Sequence, residues 1–148
     1  MTAHAPGSIN PADLKALEPV KPSTIDEVRA AVATARTAQA NWVALPLATR
    51  ADAMRALGQA VLAKADELAR VMSMETGRSV VECKASELTS LVPYIETAII
   101  VAKEALAPSK VRLSMLDFPG KKGVTEAVPR GVIGIIAPWN YPLGNFWK

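Results

Sequence analysis

The chain has 148 residues, 50% of them hydrophobic and 21% charged, which supplies a core and excludes a disordered or collagen-like polypeptide. Seventeen Lys and Arg against fourteen Asp and Glu leave a net charge of +3, too small an imbalance to point to nucleic acid. One His, His4, and one Cys, Cys83, exclude a zinc site or a Ser–His–Asp or Cys–His pair within these residues, and they forbid an internal disulfide, which favours a cytoplasmic location.

The stretch Met1–Gly7 lacks the basic and apolar regions of a secretory signal. The longest apolar runs, Thr97–Ala102 and Gly131–Trp139, fall short of the roughly 20 residues that span a bilayer, so no membrane helix is expected. After Pro6, Gly7 and the turn pair Asn10-Pro11, Thr24 followed by Glu27 predicts a capping box and a helix start. Val28, Val32 and Ala35 continue at helical spacing, and Pro46 closes that segment after Trp42.

A second helix is expected from Leu47 toward Lys64, with Met54, Leu57 and Val61 as its apolar stripe and Arg50, Asp52 and Arg55 off it. A third starts at Asp66 as cap, carries Leu68, Val71 and Met72, and stops at Gly77. Ser79 and Glu82 form another potential capping box. It opens a long helical run through Leu91, Tyr94, Ile95, Ala98, Ile99 and Ala102 to Leu106, with a kink or break near Pro93.

The pattern changes at Pro108. Val111–Met115 alternates like a half-exposed strand, Phe118–Gly123 reads as a turn, and Val124–Val128 completes a ribbon. Val132–Ile136 is a continuous β-branched run of the kind found in a parallel strand covered on both faces. Asn140 follows just beyond that strand's C-terminal end, where open parallel sheets bind ligands. Pro138 and Pro142 stiffen its loop, and a neutral amide there can donate an N–H to a developing oxyanion without titrating. Against this stands a plain alternative, with Trp139 as a packing residue and Asn140 as a turn former. Gly131 and Gly134 alone make no dinucleotide fingerprint.

The segment Pro129–Leu143, with Pro138-Trp139-Asn140-Tyr141-Pro142 at its centre, resembles the first nucleotide-domain strand and following loop of the aldehyde dehydrogenase superfamily. Asn10-Pro11, the helix from Thr24, Trp42 with Leu45-Pro46-Leu47 and Arg50, and Glu75-Thr76-Gly77-Arg78 fall in that family's order, so the resemblance covers essentially the whole chain. Arg78 stands where the family more often has Lys.

The resemblance implies an α/β fold: a helical layer over 1–108, an oligomerisation-type β-ribbon over 109–129, and over 130–148 the first strand and loop of a Rossmann-type nucleotide-binding domain, truncated. It implies that Asn140 helps to hold the oxyanion of a cysteine thiohemiacetal, and that Ile136, Ala137, Pro138 and Trp139 pass beside bound NAD or NADP. It implies an aldehyde substrate, oxidised to an acid, and a homo-oligomer when complete. The family's nucleophilic Cys comes far after this loop, as does its general-base Glu. Cys83 is therefore expected to be a buried helix residue, Glu75 and Glu82 are helix carboxylates, and residues 1–148 alone are expected to be inactive and prone to aggregate.

Two other readings are weighed. One is an interaction module docking through the ribbon from Val111 to Val128. The other is a nucleic-acid binder using Lys110, Arg112, Lys121, Lys122 and Arg130, against which the acidic residues spread among the helices argue.

Overall fold

A computed structural model describes residues 7–147; His4 and Pro6 lie outside the described residues. The chain opens on the expected turn. Asn10 Oδ1 accepts from the Ala12 N–H at 3.0 Å, the Leu14 N–H returns to the Asn10 carbonyl at 2.9 Å, and an isolated antiparallel bridge joins Ile9 to Ala16.

Helix α1 spans Ile25–Ala44 behind a complete capping box. Thr24 Oγ1 accepts from the Glu27 N–H at 3.2 Å, and Glu27 Oε2 accepts from the Thr24 N–H at 2.6 Å. Leu45, forced into an extended conformation before Pro46, ends it. No residue of α1 is buried. Its Val28, Val32 and Ala35 stripe faces Arg130–Gly134 across a cavity of about 600 Å³.

Helices α2 (Leu47–Ala63) and α5 (Leu91–Ala105) pack together around Ala51, Leu91, Ile95 and Ile99, with Met54 and Val61 against them. A Cβ on Gly58 would stand 2.7 Å from Ile95 Cδ1, so the two helices approach closely at that glycine. The expected stripe is corrected at Leu57, which is exposed. Helical steps from Ala51 and Met54 bring Gly58 toward Ile95 and turn Leu57 away.

Helix α3 spans Ala65–Thr76 and starts one residue before the expected Asp66, without a side-chain cap. Asp66 lies in the first turn and pairs with Lys84 instead. Gly77, at φ +76°, provides the left-handed stop, and its N–H bonds to the Ser73 carbonyl at 2.9 Å. Val71 is exposed; Ala69 and Met72 carry the buried face, with Cys83 and Leu88 opposite.

Short helix α4 (Val80–Cys83) has half of the predicted box: Ser79 Oγ accepts from the Glu82 N–H at 3.1 Å, and no return bond from the Glu82 side chain is made among the described residues. A wide π-turn, Lys84–Leu88, follows, closed by the Thr89 N–H on the Lys84 carbonyl at 2.9 Å. The irregularity expected at Pro93 thus lies upstream of it. Pro93 falls in the first turn of α5, where a missing N–H leaves no intrahelical bond unmade.

The helical run Val80–Ala105, 26 residues, is long and apolar enough by length and composition to cross a bilayer, unlike any segment expected from the sequence. Its Cys83, Leu88, Leu91, Ile95 and Ile99 are buried against α2 and α3, while Val81, Ile100 and Val101 are exposed.

The predicted ribbon forms but is short. Strand β1 (Ser109–Val111) pairs antiparallel with β2 (Gly123–Thr125), Lys110 opposite Val124. Arg112–Met115 and Glu126–Val128 fall outside it. The strand expected over Val132–Ile136 is not formed: its backbone makes no hydrogen bond among the described residues, and Ile133 and Ile136 are 71% and 99% exposed. A strand exists through its ladder, and no neighbouring strand offers one here. The short helix α6, Gly144–Trp147, ends the described chain and packs Trp147 on the α2–α5 cluster.

Candidate active-site loop

The exposed segment Ile136–Asn140 runs into a turn over Trp139–Leu143 and then into α6. Ile136, Pro138, Trp139 and Asn140 are exposed and Ala137 is half-buried, so the five residues singled out from the sequence lie along one accessible strip. Trp139 and Pro142 line a cavity of about 420 Å³ with Glu75. The Asn140 side chain makes no hydrogen bond among the described residues and its amide remains available. Cys83 is fully buried between α3 and the π-turn, so its thiol does not reach this strip.

The loop is held from below by a residue the sequence reading passed over. Glu87, in the π-turn, is 1% exposed. Its Oε2 accepts from two consecutive backbone donors, the Leu143 N–H at 2.9 Å and the Gly144 N–H at 2.8 Å. Its Oε1 accepts from Arg78 Nη2. A buried carboxylate needs such compensation, and here every contact is charge-assisted.

Arg78 is itself built in. Its Nη1 donates to Ser86 Oγ at 3.2 Å, its Nε donates to Thr76 Oγ1 at 3.3 Å, and its carbonyl accepts from Ser73 Oγ at 2.6 Å. Its guanidinium lies 4.5 Å from the centroid of the Tyr141 ring, a cation–π contact with the residue next to Asn140. Burial disfavours the charge on Arg78, but the hydrogen bond and field of Glu87 outweigh it, so the guanidinium titrates above its ordinary range.

A signal for Glu87 was present in the sequence. Cys83, Glu87, Leu91, Ile95 and Ile99 recur every four residues, and a lone carboxylate on an otherwise apolar stripe demands a buried partner.

The backbone groups of Ile136–Trp139 make no hydrogen bonds among the described residues, and Ile136 projects into solvent.

The model of the aldehyde dehydrogenase family matches residues 3–148. Vanillin dehydrogenase of Corynebacterium glutamicum is 32% identical over 139 residues, covering 92% of this chain and 27% of that protein. An NADP-dependent enzyme of E. coli superposes with a TM-score of 0.83 at 28% identity, covering 95% of this chain and 28% of the other. A 3,6-anhydro-L-galactose dehydrogenase solved in complex with NAP shares the fold, with a TM-score of 0.72 at 20% identity over 99% of this chain and 30% of that one. The chain thus spans about a quarter of the length of the relatives it matches. With the match running through both the Pro138–Pro142 loop and the Arg78–Glu87 pair beneath it, the chain belongs to the aldehyde dehydrogenase family.

Proposed function

We propose that residues 1–148 are the N-terminal part of an NAD(P)-dependent aldehyde dehydrogenase, a cytoplasmic homo-oligomer that oxidises an aldehyde to a carboxylic acid through a cysteine thiohemiacetal and thioester. The observation that carries this is the family match over residues 3–148, which includes the loop displaying Asn140. Asn140 is the catalytic residue in these residues: its side-chain N–H donates to the oxygen that becomes negative when the aldehyde carbon turns tetrahedral. Ile136, Ala137, Pro138 and Trp139 flank the dinucleotide through exposed backbone and apolar side chains. The bound dinucleotide supplies the hydride acceptor. Pro138 and Pro142 restrict the loop, so the amide is oriented before reaction.

Residues 1–148 do not oxidise aldehydes by themselves, since their one thiol, Cys83, is buried away from the loop. Asn140→Ala in the full-length gene product tests the reading. The expected loss is about a hundred- to a thousandfold in kcat, the ordinary effect of removing one oxyanion donor. An unchanged kcat, or aldehyde-dependent NAD(P)+ reduction by purified residues 1–148 that Asn140→Ala abolishes, would overturn it.

A further inference from the structure

We infer that Glu87, paired with Arg78, is the positioning residue that sets the place of the Asn140 amide, an inference that rests on the role proposed above for Asn140. The Asn140 side chain has no bond of its own, and the backbone upstream of it, from Arg130 to Pro138, makes none among the described residues. Among the described residues, the bonds nearest Asn140 are made by the segment that follows it.

Downstream there are three holds. Glu87 Oε2 takes the N–H groups of Leu143 and Gly144 at 2.9 and 2.8 Å, the Arg78 guanidinium covers the Tyr141 ring at 4.5 Å, and the Asn145 N–H closes on the Tyr141 carbonyl at 3.0 Å. The first two belong to one ion pair, whose carboxylate is buried in the π-turn and whose Arg78 sits in the short connection between α3 and α4. A carboxylate suits the place because it only accepts: one oxygen faces two backbone donors and the other faces a guanidinium. Glutamine has the same shape but must turn an NH₂ group toward one of these donor sets, so one hold is lost whichever way it rotates.

Misplacing a catalytic group by about 1 Å costs on the order of a hundredfold, so Glu87→Gln in the full-length gene product is expected to lower kcat by about that factor, with a much smaller change in the KM for NAD(P)+. A residue acting through Asn140 has nothing left to position once Asn140 is gone. In the Asn140→Ala background, Glu87→Gln is accordingly expected to lower kcat by less than about threefold further. A further loss greater than that, or a wild-type kcat for Glu87→Gln itself, would overturn the inference, since a merely structural role multiplies with Asn140→Ala.

If Glu87→Gln yields no folded protein, the same cycle is run with Arg78→Met, with the same non-additivity expected and the same outcomes decisive. A wild-type gene product that reduces neither nucleotide with any aldehyde would instead defeat the functional reading, and this inference with it.

Discussion

Residues 1–148 expressed alone should self-associate, and two charges placed on one exposed strip should relieve it. The chain exposes 11698 Å², whereas a compact monomer of its 15.7 kDa exposes about 7,300 Å². The excess of about 4,400 Å² is roughly five times the ~800 Å² that one partner gives to a standard interface. Folding removes about half of the ~22,800 Å² of the extended chain, where a domain of this length removes about 68–70%. Much of what remains is apolar, including Val128, Ile133, Ile136 and Trp139.

The expected behaviour is oligomers or aggregates in sedimentation velocity, strong binding of a hydrophobic dye, and a broad thermal transition. Ile133→Lys with Ile136→Lys should reduce association while leaving the helical signal intact, because both side chains project into solvent. A monodisperse monomer with one calorimetric transition near 100 kcal/mol, the ordinary enthalpy of about 0.7 kcal/mol per residue, would refute the surface argument. So would a double variant that associates as strongly as the parent.

Two further outcomes follow from local geometry. Gly77→Ala places a Cβ on a backbone at φ +76° and 3.1 Å from Pro11 Cβ; the left-handed cost alone is about 1–2 kcal/mol, so amide exchange in the last turn of α3 should accelerate by about tenfold, and unchanged exchange would count against the strain. Arg55 grips Glu96 with two hydrogen bonds, Nε to Oε1 at 2.7 Å and Nη2 to Oε2 at 2.9 Å, and the first of the resulting effects, the hydrogen bonding, holds the Glu96 carboxyl below its ordinary range. Stability from this pair is present above the carboxyl's ordinary value and fades as pH falls through the lowered one. Glu96→Gln should remove that acid-side slope, and a carboxyl that titrates normally in the wild type by NMR would refute it.

The elements written in local chemistry were legible in the sequence. Thr24 with Glu27, Pro46 and Gly77 set helix ends through bonds to near neighbours, and the structure has them. Leu57 and Val71 were misjudged because an apolar stripe shows which residues can be buried, while the partner's angle of approach selects among them. Val132–Ile136 has the composition of a covered strand, but a strand needs a ladder that composition does not contain. The loop from Ile136 to Pro142 was found by its motif. Glu87, 56 residues from the Leu143 N–H it accepts, was not, although its charge on the stripe Cys83–Leu91–Ile95 was in view.

That four-residue repeat also explains why the helix widens where it does. An α-helix turns once in about 3.6 residues, so a repeat of four drifts by about 40° at each step, and from Cys83 to Ile95 it would wander by about 120°. The five-residue turn at Lys84–Leu88 absorbs one extra residue, about 100° of rotation, and returns Leu91 and Ile95 nearly into line with Cys83. It acts as a pitch correction in a helix that serves two partners, α3 before the turn and α2 after it. Such a segment is where the run can lose one residue and keep its register. Removing one residue between Lys84 and Leu88 would let the run close as an ordinary α-helix with Leu91 and Ile95 still in line with Cys83, whereas adding one would rotate everything beyond it by about a quarter turn and unseat Leu91 and Ile95 from α2.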